Sequence, residues 1–146
     1  MTPNSFHTRS CRGSQLTFLA VLTAGIALAC QDTIVRSLGP ENNVQEYVQP
    51  DSFRFQASEL SNVTDEVSYT WMNTGTSAVV MHRSFVHHGH GDILILDAQG
   101  NVIYDVGTLE NNLDNETDEG MSGNWTIRLR LFGAKGRVDF SVVSKR

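Results

Sequence analysis

From Ser52 onward the chain alternates apolar and polar residues with a period of two. "SFRFQAS" sets Phe53, Phe55 and Ala57 against Arg54 and Gln56, and "VSYTWMN" sets Val67, Tyr69 and Trp71 against Ser68, Thr70 and Met72. "NWTIRLRLF" puts Trp125, Ile127, Leu129 and Leu131 on one parity and Thr126, Arg128 and Arg130 on the other. "RVDFSVV" repeats the pattern with Val138, Phe140 and Val142. A strand turns successive side chains to opposite faces, so this alternation predicts antiparallel strands with one buried and one wet face. "SAVVMHRSFV" and "DILILDA" are apolar on both parities over part of their length, as strands covered on both sides would be. Glycine-bearing turns, "NTGT", "DAQGN" and "GAKG", separate the runs. The pattern predicts an all-β domain over residues 52–146, an antiparallel, jelly-roll-like β-sandwich of about seven strands.

The chain ahead of that domain is patterned differently. "MTPNSFHTRSCRGSQ" carries Arg9 and Arg12 and no acid, and the uncharged run Leu16 to Ala29 follows it. A fourteen-residue uncharged, largely apolar run suits the h-region of a signal peptide and falls short of the roughly 20 residues that a spanning helix needs. Residues 1–29 therefore read as a cleaved signal segment, ending in the small-residue pattern Ala27-Leu28-Ala29 with Cys30 directly after it. Residues 30–51 are polar, hold Pro40 and Pro50, and keep no sustained period, apart from a weak hint of a helix around Gln45 to Val48. That stretch predicts a flexible tether reaching on the order of 25 Å.

"ALAC" resembles the lipobox of bacterial lipoproteins, with Ala27 where Leu, Val or Ile is usual. The resemblance implies that the Cys30 thiol is acylated and the chain cut just before it. Gln31 stands where an Asp is associated with inner-membrane retention, so the implied address is the outer membrane of a two-membrane host. Ordinary signal cleavage and secretion stays open. The cysteine count fits a lipid, because Cys11 leaves with the leader and no disulfide can form within the mature chain. A lone thiol in an oxidising compartment is a liability that acylation removes.

Removing the leader takes away two arginines and no acid, moving the formal charge from −5 to −7. An acidic exported domain has no electrostatic reason to seek nucleic acid, and no polybasic run is present to grip anionic headgroups. The "N-x-S/T" sequons at Asn62, Asn115 and Asn124 are chance occurrences in a bacterial setting.

Two stretches carry candidate chemistry. In "SFVHHGHGD", His88, His90 and Asp92 share a parity, and on a strand they would project from one face about 6.5 to 7 Å apart. Two imidazoles and a carboxylate could converge on zinc or copper, with His82 or His87 approaching from the preceding strand. The other readings of the stretch are a polar turn flanked by Gly89 and Gly91, and a cluster that charges on acidification. The chain also shares size and address with small periplasmic copper chaperones. It lacks their "H-x-M" motif, however, and Met72, Met81 and Met121 are scattered. The second stretch is "GTLENNLDNETDEGMSG", where Asp114, Glu116 and Asp118 at i, i+2, i+4 resemble the opening of a calcium loop. The glycine falls at Gly120 and the twelfth position is Trp125, so it is no EF-hand, and what stays open is loop calcium or a solvated acidic loop.

No nucleophile elbow, P-loop or H-E-x-x-H pattern occurs, which argues against an enzyme. "ILILDAQGNVIYDV" and "GNWTIRLRLFGAKGRVDFSVV" resemble the closing half of bacterial pre-peptidase C-terminal domains and, more loosely, GOLD domains. Asp97, Gly100, Tyr104, Gly123, Trp125, Ile127 and Leu129 carry the match. The resemblance implies an accessory, ligand-binding role. The sequence thus predicts a lipid-anchored, non-enzymatic cell-envelope protein with a protein or glycan partner. The alternative is an envelope metal-binding protein using His88, His90 and Asp92.

Overall fold

The computed structural model describes residues 34–107, 109, 112 and 114–145. The signal segment 1–29 and Cys30 lie outside them. Seven strands are found among the described residues: β1 (Gln45–Gln49), β2 (Ser52–Asn73), β3 (Ser77–His82), β4 (Phe85–Leu96), β5 (Val102–Gly107), β6 (Asp114–Glu116) and β7 (Gly123–Lys145). A single 3-10 turn, Pro40–Asn42, precedes them. All strand pairs are antiparallel.

β2 and β7 run alongside each other over nearly their whole length, from Ser52 opposite Val143 to Asn73 opposite Gly123. Strands this long cannot lie flat and bury only one face, so they fold over midway. The pairing slips three times between Ala57 and Asp65, and extra unpaired residues of this kind bend a strand sharply. Glu59 and Asn62 take positive φ there, as does Gly133 on β7. One half of the folded sheet is β1, the start of β2, the end of β7, β3 and β6. The other is the end of β2, the start of β7, β4 and β5. The two halves face each other as the layers of an antiparallel β-sandwich.

The inward parity is the one the alternation predicts. Phe53, Phe55, Val80, Phe140 and Val142 from the first layer meet Trp71, Ile93, Ile95, Trp125, Ile127 and Leu129 from the second, all almost fully buried. Tyr69 ties the layers together by packing on Phe53 and Phe55 at centroid distances of 5.3 and 5.8 Å, and within the second layer Trp71 meets its cross-strand neighbour Trp125 edge-on at 5.7 Å. Each indole N–H is satisfied by a backbone carbonyl, Trp71 by Gln49 at 2.9 Å and Trp125 by Met121 at 2.7 Å. A buried polar link joins β3 to β5, where His82 Nε2 and the Tyr104 hydroxyl are 2.7 Å apart.

Asp97 organises the end of the sandwich opposite the bend. Its carboxylate accepts hydrogen bonds from the backbone N–H groups of Gln99, Asn101 and Met121 and from the Asn101 amide. These contacts, the one from Met121 first, hold its pKa down to about 2.

The described part of the expected tether is not a tether. Arg36 bridges Val63, the Leu38 N–H donates to Asp65 Oδ2, and Gln45–Gln49 is a strand paired with β2, where the sequence hinted at a helix. The reason lies in the partner. β2 would otherwise present a bare edge, and β1 satisfies it with backbone hydrogen bonds that need no apolar stripe of their own.

Candidate functional site

The histidine stretch sits on β4 where that strand crosses the bend. Its pairing with β7 slips between Val86 and His88 and again between His88 and His90. Gly89 adopts φ +78°, and a Cβ there would collide with the Gly133 carbonyl. These slips break the alternation on which a shared face depended. His88 lies opposite Lys135, and His90 lies opposite Phe132 and stacks on its ring at 6.0 Å. Asp92 is buried and accepts a 2.7 Å hydrogen bond from Arg130 Nε, while His90 Nε2 stands 3.7 Å from its other oxygen. His82 is in the core with Tyr104 and is not available from outside. Among the described residues no three His, Cys, Asp or Glu side chains are gathered as metal ligands.

The acidic stretch is likewise taken up by the fold. Asp114–Glu116 is a short strand on the edge of β3. Asp114 forms a bidentate pair with Arg83, at 2.7 and 3.2 Å, and that hydrogen bond holds its carboxyl below the usual carboxylate range. Glu116 pairs with Lys145 at 2.6 Å. Asp118 is exposed, and its backbone N–H donates to the Ile103 carbonyl. Asp114 and Glu116 therefore face cations already present in the chain, and among the described residues Asp114, Glu116 and Asp118 are not gathered as a metal site.

A different place on the molecule has the form of a binding site. The outer surface of the first layer carries a groove of about 580 Å³ lined by Gln45, Glu46, Tyr47, Arg54, Gln56 and Ser141, with Val143 at its rim. Strand pairing builds it in rows. Tyr47 stands opposite Arg54 and Arg54 opposite Ser141; one row along, Gln45 stands opposite Gln56 and Gln56 opposite Asp139. Three strands make each row about 10 Å wide.

Tyr47 and the Arg54 side chain are about half exposed, at 51% and 54%. Asp139 orders the polar side of the groove. It accepts a 2.8 Å hydrogen bond from Gln56 Nε2 and two longer ones from Arg54 Nη2, at 3.3 and 3.4 Å. Its own backbone is clamped by Ser84, whose hydroxyl accepts from the Asp139 N–H at 3.0 Å. Gln56 is left with its carbonyl oxygen as an acceptor, and Arg54 with further N–H donors. Behind β1, Glu46 accepts a 2.6 Å hydrogen bond from the Tyr69 hydroxyl. Burial, and then the carboxylate, push that phenol far above its ordinary pKa, which keeps it a donor. Glu46 pins the strand that carries Tyr47.

None of this was singled out from the sequence, because Gln45 and Tyr47 fell in the stretch read as tether. The available signal was the alternation of "QEYVQ", in which Gln45, Tyr47 and Gln49 share a parity.

No protein-family model matches the chain, and no curated protein matches it. Among solved structures, the chain is similar to a carbohydrate-binding module from Cellvibrio mixtus lichenase 5A in complex with cellotriose. The identity is 11% over 70% of this chain and 87% of that one, with a TM-score of 0.44. A module from Clostridium stercorarium in complex with cellobiose is similar at 18% identity over 78% and 99% of the two chains, with a TM-score of 0.41. A domain of a multidomain xylanase from the hindgut metagenome of Trinervitermes trinervoides is similar at 17% identity over 62% and 77%, also with a TM-score of 0.41. Likeness at this level carries no ligand and no activity to this chain.

Proposed function

We propose that this is a non-enzymatic cell-envelope protein, lipid-anchored through Cys30, that binds a glycan in the groove between Tyr47 and Val143. The observation that carries the reading is the exposed Tyr47 ring beside a fixed row of planar polar groups. An oligosaccharide has apolar C–H faces and hydroxyl edges. A half-exposed aromatic ring meets the first, and guanidinium, amide and carboxylate groups meet the second. Because Asp139 already holds Arg54 and Gln56 in place, little side-chain freedom is lost on binding.

Titration calorimetry of the mature protein against cello-, malto-, galacto- and peptidoglycan-derived oligosaccharides tests the groove. At least one series is expected to bind, and Tyr47→Ala should weaken it by roughly tenfold, the equivalent of about 1.4 kcal/mol. Binding that survives Tyr47→Ala and Gln56→Ala unchanged would place the glycan elsewhere, and silence across the panel at millimolar sugar would overturn the reading. The anchor has its own measurement. The intact mass of membrane-fraction protein should correspond to a chain starting at Cys30 with added diacylglycerol.

A further inference from the structure

We propose that the bend of the sandwich is a membrane-docking face, on which the domain rests against the bilayer surface. The inference builds on the reading of Cys30 as the lipid-bearing residue.

Four separate segments meet at the bend. Arg36 pairs with Val63 through two backbone hydrogen bonds, Arg36 N–H to Asn62 at 3.1 Å and Thr64 N–H to Arg36 at 2.8 Å. The Asn62 amide also donates to the Ile34 carbonyl at 2.9 Å, so the incoming chain lies along this part of β2. The Gly133 N–H donates to Thr64 Oγ1 at 2.8 Å, which brings in β7, and β4 crosses β7 with Val86 opposite Gly136 and His90 opposite Phe132.

Large apolar side chains are exposed on these segments. Ile34, Val35, Phe85 and Phe132 are 61, 64, 56 and 49% exposed, and all four belong to the segments that meet at the bend. The residues between them suit an interface with headgroups. His87, His88 and His90 are exposed, with Phe85 against the His87 ring at 5.7 Å and Phe132 against His90. Arg36 and Arg137 are exposed basic side chains on the same segments, and Glu59 is an exposed acid at the bend. The sequence contains no polybasic run, and none is needed, since apolar contact supplies the affinity and the anchor supplies the local concentration.

The occupant follows from where the chain comes in. Only Gln31, Asp32 and Thr33 separate Cys30 from Ile34, and four residue steps span at most roughly 14 Å. An acyl chain seated in the bilayer at Cys30 therefore keeps Ile34, and the bend it lies against, within that distance of the headgroups. A tether of twenty residues would have left the domain free to face any way, whereas four residues hold this end down. Tyr47 and Arg54 stand in the row of the groove farther from the bend, with Arg54 about six residues up β2 from Leu60, on the order of 20 Å.

Quenching by lipids brominated on their acyl chains tests the proposal. Native Trp71 and Trp125 are fully buried and shielded from such lipids. Phe132→Trp and Phe85→Trp each add a reporter at the bend, and Met72→Trp adds one far from it. The mature protein, as isolated from the membrane fraction, is reconstituted into vesicles of phosphatidylethanolamine and phosphatidylglycerol. The emission that Phe132→Trp and Phe85→Trp each add to that of the native pair should be largely lost, since a ring at the headgroup–acyl boundary lies within reach of the bromines, and the emission added by Met72→Trp should be kept. Protein that floats with the vesicles while both bend reporters stay unquenched would overturn the docking face and leave the anchor standing. Protein that does not float would overturn the anchor and the docking face together. Equal quenching at all three sites would mean no preferred orientation, which also refutes the proposal.

Discussion

Acidification below pH 6.5 should destabilise the sandwich through one histidine. His82 is 2% exposed between the layers, hydrogen-bonded to Tyr104 and stacked on the Tyr104 and Phe140 rings at 6.1 and 6.3 Å. Burial, the largest influence, lowers its pKa; Asp114 pulls the other way and Arg83 reinforces the burial. Unfolded, the imidazole takes a proton near pH 6.5, while the folded core refuses it until the pH is lower. The stabilisation is thus complete above 6.5 and drains away as the pH falls from 6.5 toward the folded value. Over that window one proton of difference costs up to about 1.4 kcal/mol per pH unit. Urea unfolding of the mature protein at half-unit steps from pH 8 to about 5 measures it. The control is His82→Leu with Tyr104→Phe, which removes both polar partners so that neither is left orphaned in the core. His87, His88 and His90 are exposed and remain in both proteins, so the difference between the two slopes isolates His82. Parallel slopes for wild type and double variant between pH 6.5 and 5 would refute the argument.

Two further outcomes follow from the crossing of β4 over β7. Gly89→Ala should cost more than about 2 kcal/mol in urea unfolding, since a left-handed residue there is strained and its Cβ meets the Gly133 carbonyl; a loss under half of that would mean the bend yields easily. Zinc or copper near millimolar should leave the thermal midpoint unmoved, because His88, His90 and Asp92 are not gathered as a set of three ligands. A rise with metal that vanishes in His88→Ala/His90→Ala would show that they are.

The fold was legible because its determinant is local. The parity of Phe53, Phe55, Trp71, Trp125, Ile127 and Phe140 decides which face is buried, and a strand's period of two makes that parity visible without knowing any partner. What parity cannot reveal is a strand held by its neighbour. Gln45–Gln49 is exposed at every position, so its sequence resembles a linker, and only the free backbone edge of β2 explains why it is ordered. The same blindness affected the length of the strands. The turn "GAKG" reads as a break between two strands, yet Gly133 and Gly136 sit inside one continuous β7 at the point where it bends.

The candidate site was hidden for a related reason. Tyr47, Arg54, Gln56, Asp139 and Ser141 are neighbours only across three strands, and Gln56 is 83 residues from Asp139. A sequence search favours chemistry that is close in the chain, which is why the histidines of β4 drew notice. In the fold those histidines are separated by the bulges that allow the strand to turn, and their glycines serve the backbone. The residues that resemble a metal motif are thus better accounted for by the bend they build. That bend is where Arg36 bridges Val63 and where β4 crosses β7, so the exposed Phe85 and Phe132 owe their position to the same slips and glycines that undo the apparent motif.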